Sequence, residues 1–241
     1  MRTLGIVAHS AEGAALCFVT ACRHGGERLG PYCHPTIAMS AVPMSLSMDG
    51  WETDDHTQVA EHLASGVRMV ADSGADFYIC PDNTAHIVLE RLAGELPIPG
   101  LHIADVVCDE IERSGWTRVA VLGTKWTMNG PVYPNALSAR GMTPIVPDEP
   151  TRSAINAAIF DELCHGVVSE ATTALFTRAV ETLAGQGAEC VILGCTEIPL
   201  VLTPENSPLP PLDSTRLLAR RGVDACIDGF TPSARPGWIS R

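Results

Sequence analysis

The chain is predicted to be an α/β protein of two related halves, each a small parallel sheet flanked by helices. Three internal echoes predict it. Gly74-Ala75-Asp76-Phe77-Tyr78-Ile79-Cys80-Pro81-Asp82-Asn83-Thr84 overlays without gaps on Gly187-Ala188-Glu189-Cys190-Val191-Ile192-Leu193-Gly194-Cys195-Thr196-Glu197. In that register Asp76 meets Glu189, Ile79 meets Ile192, Cys80 meets Leu193 and Asp82 meets Cys195. After a two-residue slip, Pro97-Ile98-Pro99-Gly100-Leu101-His102 resembles Pro208-Leu209-Pro210-Pro211-Leu212-Asp213. Upstream, Leu4-Gly5-Ile6-Val7-Ala8 parallels Val119-Ala120-Val121-Leu122-Gly123. Echoes in the same order point to two structurally related units. The first half is assigned to residues 1–103 plus 214–241, the second to 104–213. A single doubly wound sheet is the plainer alternative.

The elements follow in order. Thr3 to Ala8 reads as a strand, and His9-Ser10-Ala11-Glu12-Gly13 as a turn into a helix. Ser10 either caps that helix or touches a substrate. Gly25-Gly26 and Gly30-Pro31 mark a loop, Thr36 to Val42 a second strand, and Trp51 to His56 a polar loop. Val59, Leu63, Val67 and Val70 set a helical spacing over Val59 to Ser73. Phe77 to Cys80 is the next strand, with Asp82-Asn83-Thr84 at its edge. Ala85 to Leu92 is then a helix whose first amides suit a carboxylate.

Leu96 to Pro99 leads through His102 into a helix over Ala104 to Ser114, and Arg118 to Gly123 is again a strand. Thr124 ends that strand, placed to donate to an anion; Lys125 is either a substrate cation or a solvated lysine. Lys125 to Pro134 reads as a loop entering a helix, Pro144 to Pro147 as a short strand at best. Ser153 to Gly166 is a helix with Ile155, Ile159 and Leu163 on one face, stopped by Gly166. His165 in its last turn either complements the helix dipole or faces the site. Ala171 to Gly185 is a helix leading into the apolar, β-branched strand before Cys195. Ser214 to Cys226 is helical, and Thr231 to Arg241 reads as a frayed tail.

Composition narrows the chemistry. A hydrophobic content of 46% with 18% charged residues fits a folded globular protein. The net charge of −12 argues against nucleic acid as a partner. The nine cysteines form no Cys-x-x-Cys and an odd number cannot pair fully, so a reducing, cytoplasmic setting with no metal site is expected. No segment reads as a membrane span or signal peptide.

The strand edges carry what reactivity remains. Nothing after the first strand matches a glycine-rich dinucleotide loop, and no phosphate-binding Walker loop or serine nucleophile elbow occurs. Ligands of open α/β sheets bind at the carboxyl edge of the strands. There the chain offers Gly194-Cys195-Thr196-Glu197 from one half and Asp82-Asn83-Thr84 from the other. Two acid/base groups facing one cleft suit removal of a proton from one face of a carbon and its return to the other, without a cofactor. A thiol serves if its thiolate is stabilised locally. Asn83, Thr84, Thr124 and Thr196 can hold a carboxylate and steady the developing charge.

These residues carry a resemblance. Gly194-Cys195-Thr196-Glu197-Ile198-Pro199, with Asn83-Thr84-Ala85-His86, resembles the aspartate/glutamate racemase superfamily over nearly the whole chain. Leu101-His102-Ile103-Ala104 and Phe160-Asp161-Glu162-Leu163-Cys164-His165-Gly166 extend it. The resemblance implies two pseudo-symmetric Rossmann-like halves with the active site in the cleft between them. It also implies cofactor-independent racemisation or epimerisation of an amino acid, a cysteine from each half, and a homodimer. Cys195 is then one catalytic residue, and Ser10, Asn83, Thr84, Thr124, Thr196, Glu197 and His165 are candidate substrate contacts. The family's first motif is Cys-Asn-Thr, where this chain has Asp82-Asn83-Thr84. Either Asp82 replaces the first thiol, as the repeat favours, or Cys80 acts from about 7 Å back along the strand. Aspartate racemases of the family hold the substrate's side-chain carboxylate with basic residues. Cys164-His165 stands where one is expected, which argues against an acidic substrate. Related scaffolds supply the alternatives: a decarboxylase or cis–trans isomerase of a small carboxylic acid, or a hydantoin racemase. A non-catalytic carboxylate-binding protein is the third.

Overall fold

The computed structural model describes residues 1–240. In chain order its first elements are β1 (Leu4–Ala8), α1 (Ala11–Leu29), β2 (Ile37–Ala41), α2 (Ser45–Thr53) and α3 (Thr57–Asp72). They continue as β3 (Phe77–Ile79), α4 (His86–Leu92), β4 (Gly100–Leu101), α5 (Ile103–Ser114) and β5 (Arg118–Gly123). Next come α6 (Lys125–Asn129), α7 (Val132–Ser138), β6 (Thr143–Ile145), α8 (Glu149–Asp161) and α9 (Glu170–Gly185). The chain closes with β7 (Cys190–Gly194), β8 (Pro211–Asp213), α10 (Ser214–Asp228), β9 (Thr231–Pro232) and β10 (Trp238–Ser240). Contacts divide it into two compact units: residues 1–106 with the chain from Thr215 on, and residues 107–214.

The first unit holds a sheet in the order β2-β1-β3-β4-β10-β9, parallel except for the β9–β10 pair. The second holds β6-β5-β7-β8, all parallel. The central strands β1, β3, β5 and β7 are buried throughout or nearly so, as parallel strands covered on both faces must be.

The echoes are the same ladder built twice. Leu4 pairs with Phe77 as Val119 pairs with Cys190, and Ile6 with Ile79 as Val121 with Ile192. On the far side Tyr78 meets Gly100 as Val191 meets Pro211. Even the strand entries match. Gly74 and Gly187 adopt φ of 88° and 91°, a left-handed stop that glycine reaches without strain. The carboxylate two residues on then accepts a backbone N–H just ahead of the neighbouring strand's first pair: Asp76 from Thr3 at 2.6 Å, Glu189 from Thr117 at 2.6 Å.

Five segments differ from expectation. Gly25-Gly26, expected in a loop, lies within α1, where Gly25 is buried and a Cβ on it would meet the His34 Cβ at 2.5 Å. Trp51 to Thr53 belongs to α2, because Trp51 is buried and packs on His56 at 4.8 Å between ring centroids. The helix stops where Asp54 turns left-handed, at φ 58°. Lys125 to Pro134, expected as a loop entering a helix, does enter one at α7, but in place of the loop stands the short helix α6, broken only at Gly130-Pro131. The helix expected over Ser153 to Gly166 begins earlier, on the Asp148 cap, and ends at Asp161. A tight 3₁₀ turn, Leu163–His165, then leads to Gly166.

Thr231 to Ser240, expected frayed, is instead structural; Arg241 lies outside the described residues. β10 pairs with β4, and Trp238 and Ile239 are buried in the first unit. Gly237 makes the entry: its φ is +77°, and a Cβ there would lie 2.0 Å from the Ala93 carbonyl oxygen. Gly237→Ala is therefore expected to lower unfolding free energy by about 3 kcal/mol in urea. A loss below about 0.5 kcal/mol would show that β10 contributes little. Among the described residues, no helix is long and apolar enough to cross a membrane.

Candidate active site

Because Ile6 pairs with Ile79, the chain three residues beyond each reaches the carboxyl edge on adjacent strands. Those residues are His9 and Asp82. The His9 side chain is 1% exposed and its Nδ1 lies 3.5 Å from Asp82 Oδ2. Asp82 Oδ1 accepts the Ala85 N–H at 3.2 Å. Burial pulls the Asp82 carboxyl upward. The His9 ring, the Ala85 N–H and His86 outweigh it and hold the group below the ordinary aspartate value. With 27% of its side chain exposed, Asp82 is an anion within reach of solvent.

The turn beneath Asp82 is anchored by buried histidines. Ile103 N–H donates to His86 Nε2 at 3.3 Å, so Nδ1 carries the proton and donates to the Asp82 carbonyl at 2.9 Å. Burial, then neighbouring His102, pushes His86 down to about 3, which keeps that neutral tautomer throughout the useful pH range. His102 accepts the Ala104 N–H at Nδ1 and so donates from Nε2 to Glu90 at 3.0 Å. Both rings pack on Trp238. The C-terminal strand thus supports the Asp82 turn.

The other residues of this edge divide by role. Ser10 caps α1, its Oγ accepting the Gly13 N–H at 3.0 Å. Asn83 and Thr84 are buried in the turn into α4, where their carbonyls accept the N–H groups of His86 and Ile87. Cys80 has no exposed surface. Burial, then the Asp82 charge, pushes its thiol well above the usual cysteine value.

The second unit repeats the geometry with different chemistry. Val121 pairs with Ile192, which sets Thr124 and Cys195 on adjacent strand ends. Thr124 caps α6, bonding the Thr127 N–H at 3.4 Å. Cys195 Sγ donates to Glu197 Oε2 at 2.8 Å, and Glu197 is 3% exposed. Burial first, then the Glu197 charge and Cys164, push the Cys195 thiol well up, so it rests protonated. Thr196 between them is half-buried. The strand ends fit closely: a Cβ on Gly194 would lie 2.8 Å from the Leu122 carbonyl oxygen. Ser214 Oγ also donates to the Leu193 carbonyl at 2.9 Å.

His165 is exposed, and its neighbour Cys164 acts on the Cys195 thiol. Lys125 Nζ lies 4.5 Å from the centre of the Trp126 ring. Among the described residues no group of three or more His, Cys, Asp or Glu side chains is arranged to hold a metal ion. Sequence reasoning passed over His9. The signal was present: extending the Leu4–Ala8 echo by one residue sets His9 opposite Thr124, which was singled out.

Similarity to known proteins follows the same architecture. The family described as Asp/Glu/Hydantoin racemase matches residues 16–222. The broad specificity amino-acid racemase RacX of Bacillus subtilis is 30% identical over 175 residues, covering 72% of this chain and 74% of RacX. A solved candidate Asp/Glu racemase from Yersinia pestis is 28% identical with a TM-score of 0.86, covering 94% of this chain and all of its own. An aspartate racemase homologue from Pyrococcus horikoshii is 25% identical with a TM-score of 0.80 and the same coverage. The chain belongs to the Asp/Glu/hydantoin racemase family.

Proposed function

We propose that this protein racemises or epimerises an amino acid without a cofactor, using Asp82 and Cys195 as opposed acid/base groups. The observation that carries the reading is their equivalence: each ends the same strand of the same ladder, one per unit. Their resting protonation is complementary as well. Asp82 is held ionised and Cys195 protonated, which is the state required to turn over one enantiomer. Asp82 removes the Cα proton from one face while the Cys195 thiol delivers its proton to the other. The opposite enantiomer needs the thiolate. It is turned over from the state the first direction leaves: Asp82 carries the proton it removed and Cys195 is a thiolate. The thiolate takes the Cα proton and Asp82 returns its own; Glu197, bonded to the thiol, exchanges a proton with it between turnovers. Amides and hydroxyls of Asn83, Thr84, Thr124 and Thr196 would hold the carboxylate, through which the planar intermediate's charge spreads.

Membership in the family and the likeness to RacX support an amino acid as substrate, and the broad specificity of RacX recommends a wide panel. Incubating the protein in D₂O with each amino acid should give deuterium at Cα together with loss of optical rotation. A second reading has one observation in its favour: only one strand tip carries a thiol. One acid suffices to protonate the carbanion left by loss of CO₂, so CO₂ release without racemisation would select a decarboxylase.

In this reading Asp82, not Cys80, is the first unit's group. Cys80→Ala is expected to cost about 1–2 kcal/mol of stability through lost packing and to change kcat/KM less than about twofold. We further propose a cytoplasmic homodimer. Nine free thiols suit a reducing compartment, and the family resemblance supports the dimer, which sedimentation would test.

A further inference from the structure

We propose that His9 is the positioning residue of Asp82: its buried ring holds the carboxylate at the strand tip in one orientation. The inference rests on Asp82 being the first unit's acid/base group. Three observations lead to it. The pairing of Ile6 with Ile79 brings His9 and Asp82 to neighbouring strand ends, so their approach is fixed by the sheet and not by a mobile loop. The His9 side chain is 1% exposed, yet neither ring nitrogen makes a hydrogen bond within the described residues. Buried polar groups without partners are costly and rarely retained without a use. Finally, the nearest acidic atom is Asp82 Oδ2, 3.5 Å from Nδ1, a separation that a small rotation of either side chain closes to a hydrogen bond.

The second unit shows why such a residue is needed. The position equivalent to His9 is Thr124, which spends its side chain on capping α6. Cys195 instead finds its partner two residues on, in Glu197. In the first unit the position of Glu197 is held by Thr84, a residue without a titratable side chain, and the histidine beside the carboxylate is His9. That ring comes from the adjacent strand.

Removing His9 takes away a hydrogen-bond donor and a nearby partial positive charge, so the Asp82 carboxyl should titrate at higher pH. The other titratable groups facing it are His86 and Cys80. Cys80 stays a thiol throughout. His86 takes a second proton only at about 3, a step common to wild type and both His9 variants, so the comparison is read on the Asp82 carboxyl carbon itself.

The test compares His9→Leu with His9→Asn in the intact protein. Asparagine places an amide donor near the position of Nδ1; leucine fills similar space with none. Asp82 is followed directly by ¹³C NMR of its carboxyl carbon, assigned with Asp82→Asn. The expected result is a higher titration midpoint in His9→Leu, restored toward wild type in His9→Asn. The acid limb of kcat/KM should move with it. His9→Leu should also lose roughly tenfold in kcat/KM at its optimum, the lower end of what orienting partners contribute. An unchanged Asp82 midpoint in a folded His9→Leu protein overturns the proposal, as does failure of asparagine to restore it. A midpoint that moves in a protein lacking exchange with any amino acid leaves the His9–Asp82 link standing and overturns the racemase reading instead.

Discussion

Cys195→Ala is expected to lower racemisation of both enantiomers by about 10²–10⁴-fold. The thiol is the stronger of the two proton-transfer groups in its basic form and the resting donor in its acidic one. Alanine removes both capacities while leaving the strand end intact. The closely fitted Gly194 and the Ser214 bond to the Leu193 carbonyl do not depend on the thiol. Cys195→Ser sharpens the test. Its hydroxyl can keep the bond to Glu197, but it is a far poorer acid than a thiol and cannot supply the anion. Serine should therefore fail about as badly as alanine. Glu197→Gln should leave the thiol in place and remove its proton acceptor, lowering most the kcat of the direction that begins from thiolate while kcat/KM falls equally in both. These rates are read by chiral chromatography of both enantiomers. If Cys195→Ala kept more than about a tenth of wild-type activity, Cys195 would not be an acid/base group of the reaction.

Much of the fold was legible because a duplicated ladder leaves paired marks. Gly74 and Gly187 are needed for the same left-handed turn, and Asp76 and Glu189 receive the same kind of backbone donor. Such residues repeat in sequence because the geometry repeats. The tail was not legible. Trp238 and Ile239 make a strand too short to show periodicity, and their partner, β4, is only two residues long. Trp51 was hidden for a related reason: one buried aromatic among Asp49, Glu52 and Thr53 gives no helical stripe, although α3 covers it. At the strand edges, Asp82 and Cys195 stood out because the echo aligned them. His9 did not, since its link to Asp82 joins two strand ends 73 positions apart in sequence and follows from register alone. Glu197 was read only as a substrate contact. Its hydrogen bond to the thiol two residues before it depends on the turn, which the sequence does not display.

Asp82→Asn separates the two faces of the reaction. Asparagine keeps the size of the side chain and an oxygen for the Ala85 N–H, but it cannot accept a proton. Racemisation should fall by about 10²–10⁴-fold, because every turnover needs a proton moved on each face. The loss cannot differ between directions in kcat/KM. Enantiomers have equal free energy in solution, so the ratio of kcat/KM for the two must stay fixed in any variant. Asymmetry can appear only in kcat and KM taken separately, and in isotope exchange. One half-reaction should survive: Cys195, with Glu197 to take its proton, can still remove and return the Cα proton on its own face. In D₂O the enantiomer presenting that proton to Cys195 should gain deuterium with its configuration retained, while its mirror image gains none. Cys195→Ala should show little exchange with either, since an aspartate carboxylate held below its ordinary pKa is a weak base for a Cα proton. Equal exchange of both enantiomers by Asp82→Asn would mean that Asp82 serves no single face. Near-normal racemisation in Asp82→Asn together with loss of activity in Cys80→Ala would move the first unit's role to Cys80.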